Sequence, residues 1–323
     1  MQIFKIRKVE NFCLLAFFPH AIIRPADRRF PAKIRPVTSR YPEPELINRP
    51  NVWLTILICL FSLGLTQSPA ETIFSDDFEA GELKDRWQEV NIRNAEAGGL
   101  EARPQYVHSG KASLRLTSLA NNGQESGSQV IRWFMPGYGH LYYRWYAMFA
   151  EDFDQGDLMH WTGFRGCRID DRWSGFGRAG IKPDGTDRFF TGLEPWRDWG
   201  RYPAPGALNF YSYFPEMKPD RDGVHYWGNQ FFPDSAFVVE RGRWYCFEVM
   251  LKVNTPGQHD GEQAFWVDGR KLLQVNGMRW RDTEMLRLNA LVFGVYIHQA
   301  RRNNTCWYDD LVIATHYIGP KTE

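Results

Sequence analysis

Cysteine is scarce in this chain of 323 residues, with five in all and three, Cys167, Cys246 and Cys306, beyond residue 70. An odd number permits at most one intramolecular disulfide, so Cys246 and Cys306, both in strand-like sequence, either pair or remain buried thiols. No Cys-x-x-Cys spacing occurs, which argues against zinc or dithiol redox chemistry. A long apolar run is also missing: the uncharged stretch from residue 52 to 65, VWLTILICLFSLGL, is too short for a comfortable membrane span. No long segment keeps a 3.6-residue period, which excludes a helical bundle. Neither a Gly-x-Ser-x-Gly elbow nor a phosphate-cradling loop is present. Finally, basic charge is not clustered outside the leader. Residues 1 to 51 carry ten Lys/Arg against four Asp/Glu, which leaves 29 against 34 for the remainder of a chain with 39 and 38. A net negative body lacks the field that phosphate neutralisation needs, so nucleic acid is not an expected partner.

The apolar stretch follows Arg49 and precedes Ser68-Pro69-Ala70, the order of a signal peptide with cleavage after Ala70. The expected location is secreted or periplasmic, with no stable membrane association once processed; the alternative is an anchor formed by an uncleaved 52–65. Residues 1 to 51, rich in Pro and Arg and without pattern, read as disordered or as a start site placed too early. Residues 71 to 323 form the expected folded domain, working as a monomer.

Within that domain strand signals recur between turn residues. The stretch from Gly242 to Leu272 reads as two strands joined by a polar turn and closed by Asp268-Gly269. Val249, Leu251 and Val253 alternate with Glu248, Met250, Lys252 and Asn254, a half-buried pattern. In Leu141 to Phe149, the residues Leu141, Tyr143, Trp145, Ala147 and Phe149 share one side, and Tyr142, Arg144, Tyr146 and Met148 the other. Near the C-terminus Phe293, Val295 and Ile297 face inward while Gly294, Tyr296 and His298 face out. Such spacing predicts an all-β sandwich of two antiparallel sheets, with a loop-rich insertion from about Cys167 to Ala207. If the polar faces belong to one sheet, Tyr142, Arg144, Tyr146, His160, Tyr296 and His298 line one concave surface, with Trp266, Lys252 and Gln299 as sugar contacts. The plainer readings are a solvated sheet face for the tyrosines and Arg144, a wall histidine at His160, and a Lys252–Glu248 pair. Trp196 and Trp199 either line the groove or anchor their own loop. Asp184 to Asp187 and Asp220 to Gly223 lack the distal glutamate of a calcium loop and read as turns.

Three blocks carry a family resemblance: FSDDFEAG from Phe74 to Gly81, VHSGKASL from Val107 to Leu114, and WYDDLVI from Trp307 to Ile313. They resemble the edges of concanavalin-like jelly rolls. With Trp244 to Gly269 and Phe153 to Gly166, the chain is similar to polysaccharide lyases of the alginate and glucuronan kind and to cellulose-induced jelly-roll proteins. The resemblance implies a single β-jelly roll and β-elimination on a uronic-acid polysaccharide. Arg144 or Arg165 would neutralise the C5 carboxylate, His160 or His298 would take the C5 proton, and Tyr142, Tyr146 or Tyr296 would protonate the leaving oxygen. Similar lyases tend to carry a lysine in a Lys-Leu-Pro-Gly-like context where this chain has His160. The resemblance also implies structural Ca2+ held by Glu79, Asp310, Ser109 and Ala112. A non-catalytic carbohydrate-binding module is the alternative. A glycoside hydrolase ranks last, because the paired carboxylates it needs on one strand are missing.

Overall fold

The structure, a computed structural model, describes residues 71–322, so the expected leader and signal segments lie outside the described residues. In chain order its strands are β1 (Thr72–Asp76), β2 (Glu89–Asn91), β3 (Gly98–Glu101), β4 (Ser113–Ser118), β5 (Ser126–Tyr138), β6 (His140–Phe149), β7 (Met159–Arg168) and β8 (Arg188–Trp196). These continue as β9 (Ala207–Tyr213), β10 (Asn229–Phe231), β11 (Tyr245–Lys252), β12 (Gly261–Val267), β13 (Arg270–Met278), β14 (Leu286–Ile297) and β15 (Asn304–Ala314). They build an eight-stranded sheet, ordered β13-β12-β11-β6-β15-β4-β3 with β1 on β15, and a seven-stranded sheet ordered β10-β9-β8-β7-β14-β5-β2. The paired strands run antiparallel, as a jelly-roll sandwich requires. Among the described residues no helix is long and apolar enough to cross a membrane.

Period-2 patterning fixes the core. Leu141, Tyr143, Trp145, Ala147 and Phe149 of β6 are fully buried and meet Phe293, Val295 and Ile297 of β14. The Tyr143 ring lies 4.4 Å from Phe164 in an edge contact, and Trp145 lies 5.7 Å from Phe293. Aromatic pairs at such distances add directional preference to the area they bury. Of the two alternatives for Cys246 and Cys306, the structure has the buried thiols: Cys167, Cys246 and Cys306 are free and buried. Cys306 belongs to the core, whereas Cys246 stands opposite Tyr146 on the other face of its sheet.

The expected insertion is shorter than Cys167 to Ala207, because residues 188–196 form β8, an interior strand of the seven-stranded sheet. Pro195 and Gly192 disguise it, since proline rarely enters an interior strand and glycine weakens one. What remains of the insertion packs Phe176 over a small cluster of Ile131, Trp133, Cys167, Ala290 and Val292 on the outer face of that sheet.

The eight-stranded sheet is also covered outside, by the C-terminal segment. Backbone N–H groups of Ile318 and Gly319 donate to the Glu248 carboxylate at 2.7 and 2.8 Å, and that of Lys321 donates to the Tyr146 hydroxyl at 2.8 Å. Tyr317 packs against Trp266 at 5.3 Å and Tyr142 at 6.4 Å. This cover buries Arg144 to 6% exposure, and burial raises the Glu248 carboxyl above its ordinary range.

Candidate functional site

The outer face of the seven-stranded sheet is open as a groove of about 700 Å³, floored by β7, β14, β8, β9 and β5. Gly163 and Gly192 stand opposite each other across β7 and β8. A Cβ at Gly163 would lie 2.4 Å from the Thr191 carbonyl oxygen, so nothing larger fits and the floor stays low there.

At one end of this floor three titratable groups form a chain. His160, near the start of β7, is the cross-strand partner of Tyr296 on β14. The register shifts just beyond this pair, and Trp161 and Thr162 are both buried while His160 stays half-exposed. The Nδ1 of His160 lies 2.9 Å from Oε2 of Glu194, and its Nε2 lies 3.2 Å from Nε2 of His298. His298 is set by its own backbone N–H, which donates to the Leu158 carbonyl at 3.2 Å. Glu194 is 5% exposed, and burial pushes its carboxyl well above the ordinary range. Asn209, facing Glu194 from β9, donates to the Glu194 carbonyl oxygen at 3.0 Å and braces the strand.

Two phenols flank His160. The Tyr211 ring lies 4.9 Å away, and the Tyr296 ring is stacked at 6.1 Å. Burial raises both above the usual phenol range, so both carry their protons at neutral pH. Tyr211 shares a 3.3 Å hydroxyl contact with Tyr213.

Cationic groups sit further along the groove. Arg165 lies five residues beyond His160 on β7, roughly 16 Å of strand. It is held between Phe176 at 4.4 Å and Phe190 at 4.7 Å, and donates to the Gly175 carbonyl at 2.9 Å. Burial lowers its pKa to about 10, so it stays charged at neutral pH. Arg178 is exposed on the groove wall.

The expected residues therefore separate into two surfaces. His160, His298 and Tyr296 come together, with Arg165 farther along the same sheet. Tyr142, Arg144, Tyr146, Lys252 and Trp266 do not join them: they lie on the outer face of the eight-stranded sheet, against the C-terminal segment or beside it. Alternation assigns a residue to one side of its own strand but not to one of two sheets, which is why the two sets merged in the sequence. Lys252 pairs with Glu262 at 2.9 Å rather than with Glu248, and Gln299 is exposed in the turn after β14.

The expected calcium ligands do not form an oxygen cage. Glu79 accepts backbone N–H bonds from Lys111 at 2.6 Å and Ala112 at 2.9 Å. Asp310 accepts from the Ser109 hydroxyl at 2.8 Å, contacts Nδ1 of His108 at 3.0 Å, and pairs with the Lys321 ammonium at 2.8 Å. Burial opposes the Asp310 charge, but the bonds from His108, Lys321 and Ser109 outweigh it and hold the carboxyl low. Among the described residues no cluster of three or more His, Cys, Asp or Glu is arranged for a metal. The cation at Asp310 is the chain's own lysine.

Sequence reasoning missed Glu194, Asn209, Tyr211 and Tyr213. The last three alternate with Leu208 and Phe210, a pattern legible in the sequence; Glu194 was hidden with β8.

Two antiparallel sheets with one open, polar-lined face define a concanavalin-like jelly roll. The sequence matches no protein-family model and no curated protein. In structure the chain is similar to the marine PL-14 alginate lyase from Aplysia kurodai, with a TM-score of 0.59 and 15% identity over 76% of this chain and 100% of that one. It is also similar to the alginate lyase vAL-1 from Chlorella virus, with a TM-score of 0.54 and 15% identity over 72% and 94% of the two chains. For the alginate lyase Aly36B the values are 0.53 and 17%, over 78% and 98%. At these identities the likeness is one of fold.

Proposed function

We propose that this protein is an exported lyase that cleaves a uronic-acid polysaccharide by β-elimination in the groove of the seven-stranded sheet. The observation that carries the reading is the continuous Glu194–His160–His298 chain between two protonated phenols. Support also comes from the likeness to alginate lyases, one of which has been solved with alginate trisaccharide bound.

Glu194 orients His160 through Nδ1, and once the sugar displaces the 3.2 Å contact to His298, Nε2 is the base for the C5 proton. Two imidazoles 3.2 Å apart resist double protonation. One therefore works neutral as the base while the other, His298, keeps its proton and neutralises the C5 carboxylate. As the C5–H bond breaks, its electron pair forms the C4–C5 double bond and the C4–O bond opens. The phenol on the leaving-group side, Tyr211 or Tyr296 according to how the chain lies, delivers its proton to that oxygen. Arg165 is too far along β7 to serve the same sugar, and holds the carboxylate of another unit. Its charge and that of Arg178 suit an anionic polymer.

The test is to incubate the purified protein with alginate, polyglucuronate and pectate and follow absorbance of the unsaturated uronide. A rise with one polymer is expected. Retention of a polymer without any rise would select the binding-module alternative.

A further inference from the structure

Beyond the reacting centre, we infer that Trp199, backed by Trp196 and Phe232, is a stacking platform for a pyranose ring of the same polysaccharide, one subsite away from His160. The inference rests on the polysaccharide reading of the groove, though not on bond cleavage.

Trp196 lies two residues beyond Glu194 on β8 and on the same side of the strand, about 7 Å away. The chain then turns sharply: the Gly200 N–H donates to the Arg197 carbonyl at 3.2 Å, and the Tyr202 N–H to the same oxygen at 2.9 Å. Asp198 and Trp199, at the crest, hold φ of +48° and +56°. Left-handed backbone at two successive non-glycine residues costs on the order of 1 kcal/mol or more each, and such strain persists where the surroundings enforce it.

The surroundings do enforce it. The Arg197 guanidinium binds Asp154 and the Gly156 carbonyl, both at 3.1 Å, locking the loop to the segment before β7. A Cβ at Gly206 would lie 2.3 Å from the Trp196 carbonyl, so the returning chain is clamped against the strand.

What the strained turn holds up is a large apolar ring in water. Trp199 is 58% exposed and Phe232 38%, while Trp196 braces both, at 6.3 Å edge-on to Trp199 and 5.8 Å from Phe232. A loop anchored by its own tryptophan would bury that ring; here Trp196 is the anchor and Trp199 is presented. A rigid aromatic face at the end of the strand that carries Glu194 suits the apolar face of a sugar whose carboxylate and hydroxyls are recognised elsewhere.

The experiment measures binding and cleavage separately, with alginate, polyglucuronate and pectate as probes. Affinity electrophoresis is run on the parent, Trp199→Ala, Trp199→Phe and His160→Ala, and product lengths are compared. The expected result is a loss of at least about tenfold in polymer affinity for Trp199→Ala, recovered in Trp199→Phe and absent in His160→Ala. Turnover of the shortest cleaved oligomer should be unchanged in Trp199→Ala. If Trp199→Ala binds and degrades polymer like the parent, the platform is overturned while the lyase reading stands. Should the parent bind without cleaving and Trp199→Ala bind more weakly, the platform stands and the lyase reading falls. If neither the parent nor His160→Ala binds any of the three polymers, both are overturned.

Discussion

At the scale of single residues, Glu194 couples function to stability. Burial raises its carboxyl above the unfolded value of 4.5. Below pH 4.5 both states hold the proton and no penalty exists; as pH rises through and above 4.5 the unfolded state ionises more readily and stability is lost. Glu194→Gln is therefore expected to unfold at a higher temperature than the parent at pH 8, with the gap closing toward pH 4, while its turnover falls about 10² or more because His160 loses the carboxyl that sets its Nδ1. Equal melting temperatures at every pH would contradict the assignment. Asn254 is the purely structural counterpart. Wholly buried, it accepts backbone N–H bonds from Trp280 at 2.7 Å and Arg281 at 2.9 Å and donates to the Arg281 carbonyl at 2.8 Å. Asn254→Ala leaves two buried donors without that acceptor and should destabilise by about 3 kcal/mol, read from the denaturant midpoint, with groove chemistry otherwise intact.

At the scale of elements, the C-terminal segment is a cover whose removal has a specific signature. Cys246 is 3% exposed, and burial pushes its thiol up to about 12. It faces Tyr146, which the Lys321 N–H holds. A chain ending at Thr315 should therefore expose Cys246 to a thiol reagent under native conditions, while Cys167 and Cys306 stay protected. Protection of all three would show that the sheet alone seals this face. Legibility also divides by element. Strands β6, β11 and β14 were readable because their alternation is uninterrupted and their inward residues are large. Strand β8 was not, because Pro195 and Gly192 carry loop signals that only pairing with β7 and β9 overrides. Its loss removed Glu194, and with it the partner that organises His160. The merging of Tyr142, Arg144 and Tyr146 with the histidines had a different cause: a two-residue period defines two faces per strand, and nothing local says which sheet a strand joins. Calcium at Glu79 and Asp310 was implied by the resemblance, whereas the group that meets Asp310 in the structure is Lys321, in the segment after the last strand.

At the scale of the whole molecule, the sandwich uses its two outer faces differently. One is closed by the chain's own end; the other is kept open by glycine on the floor and lined with imidazole, phenol and guanidinium groups. If, as proposed, one of His160 and His298 works protonated and the other neutral, the rate of elimination should be bell-shaped in pH, with both limbs belonging to the pair rather than to either residue. A profile that rises to a plateau would assign the chemistry to a single base. The most direct measurement is the initial rate of unsaturated-uronide formation for His160→Ala and Tyr142→Phe beside the parent, on the polymer that the parent cleaves. The expected result is a fall of about 10² to 10⁴ for His160→Ala and an unchanged rate for Tyr142→Phe. A His160→Ala protein as fast as the parent, or a Tyr142→Phe protein without activity, would contradict placing the reaction in the groove of the seven-stranded sheet.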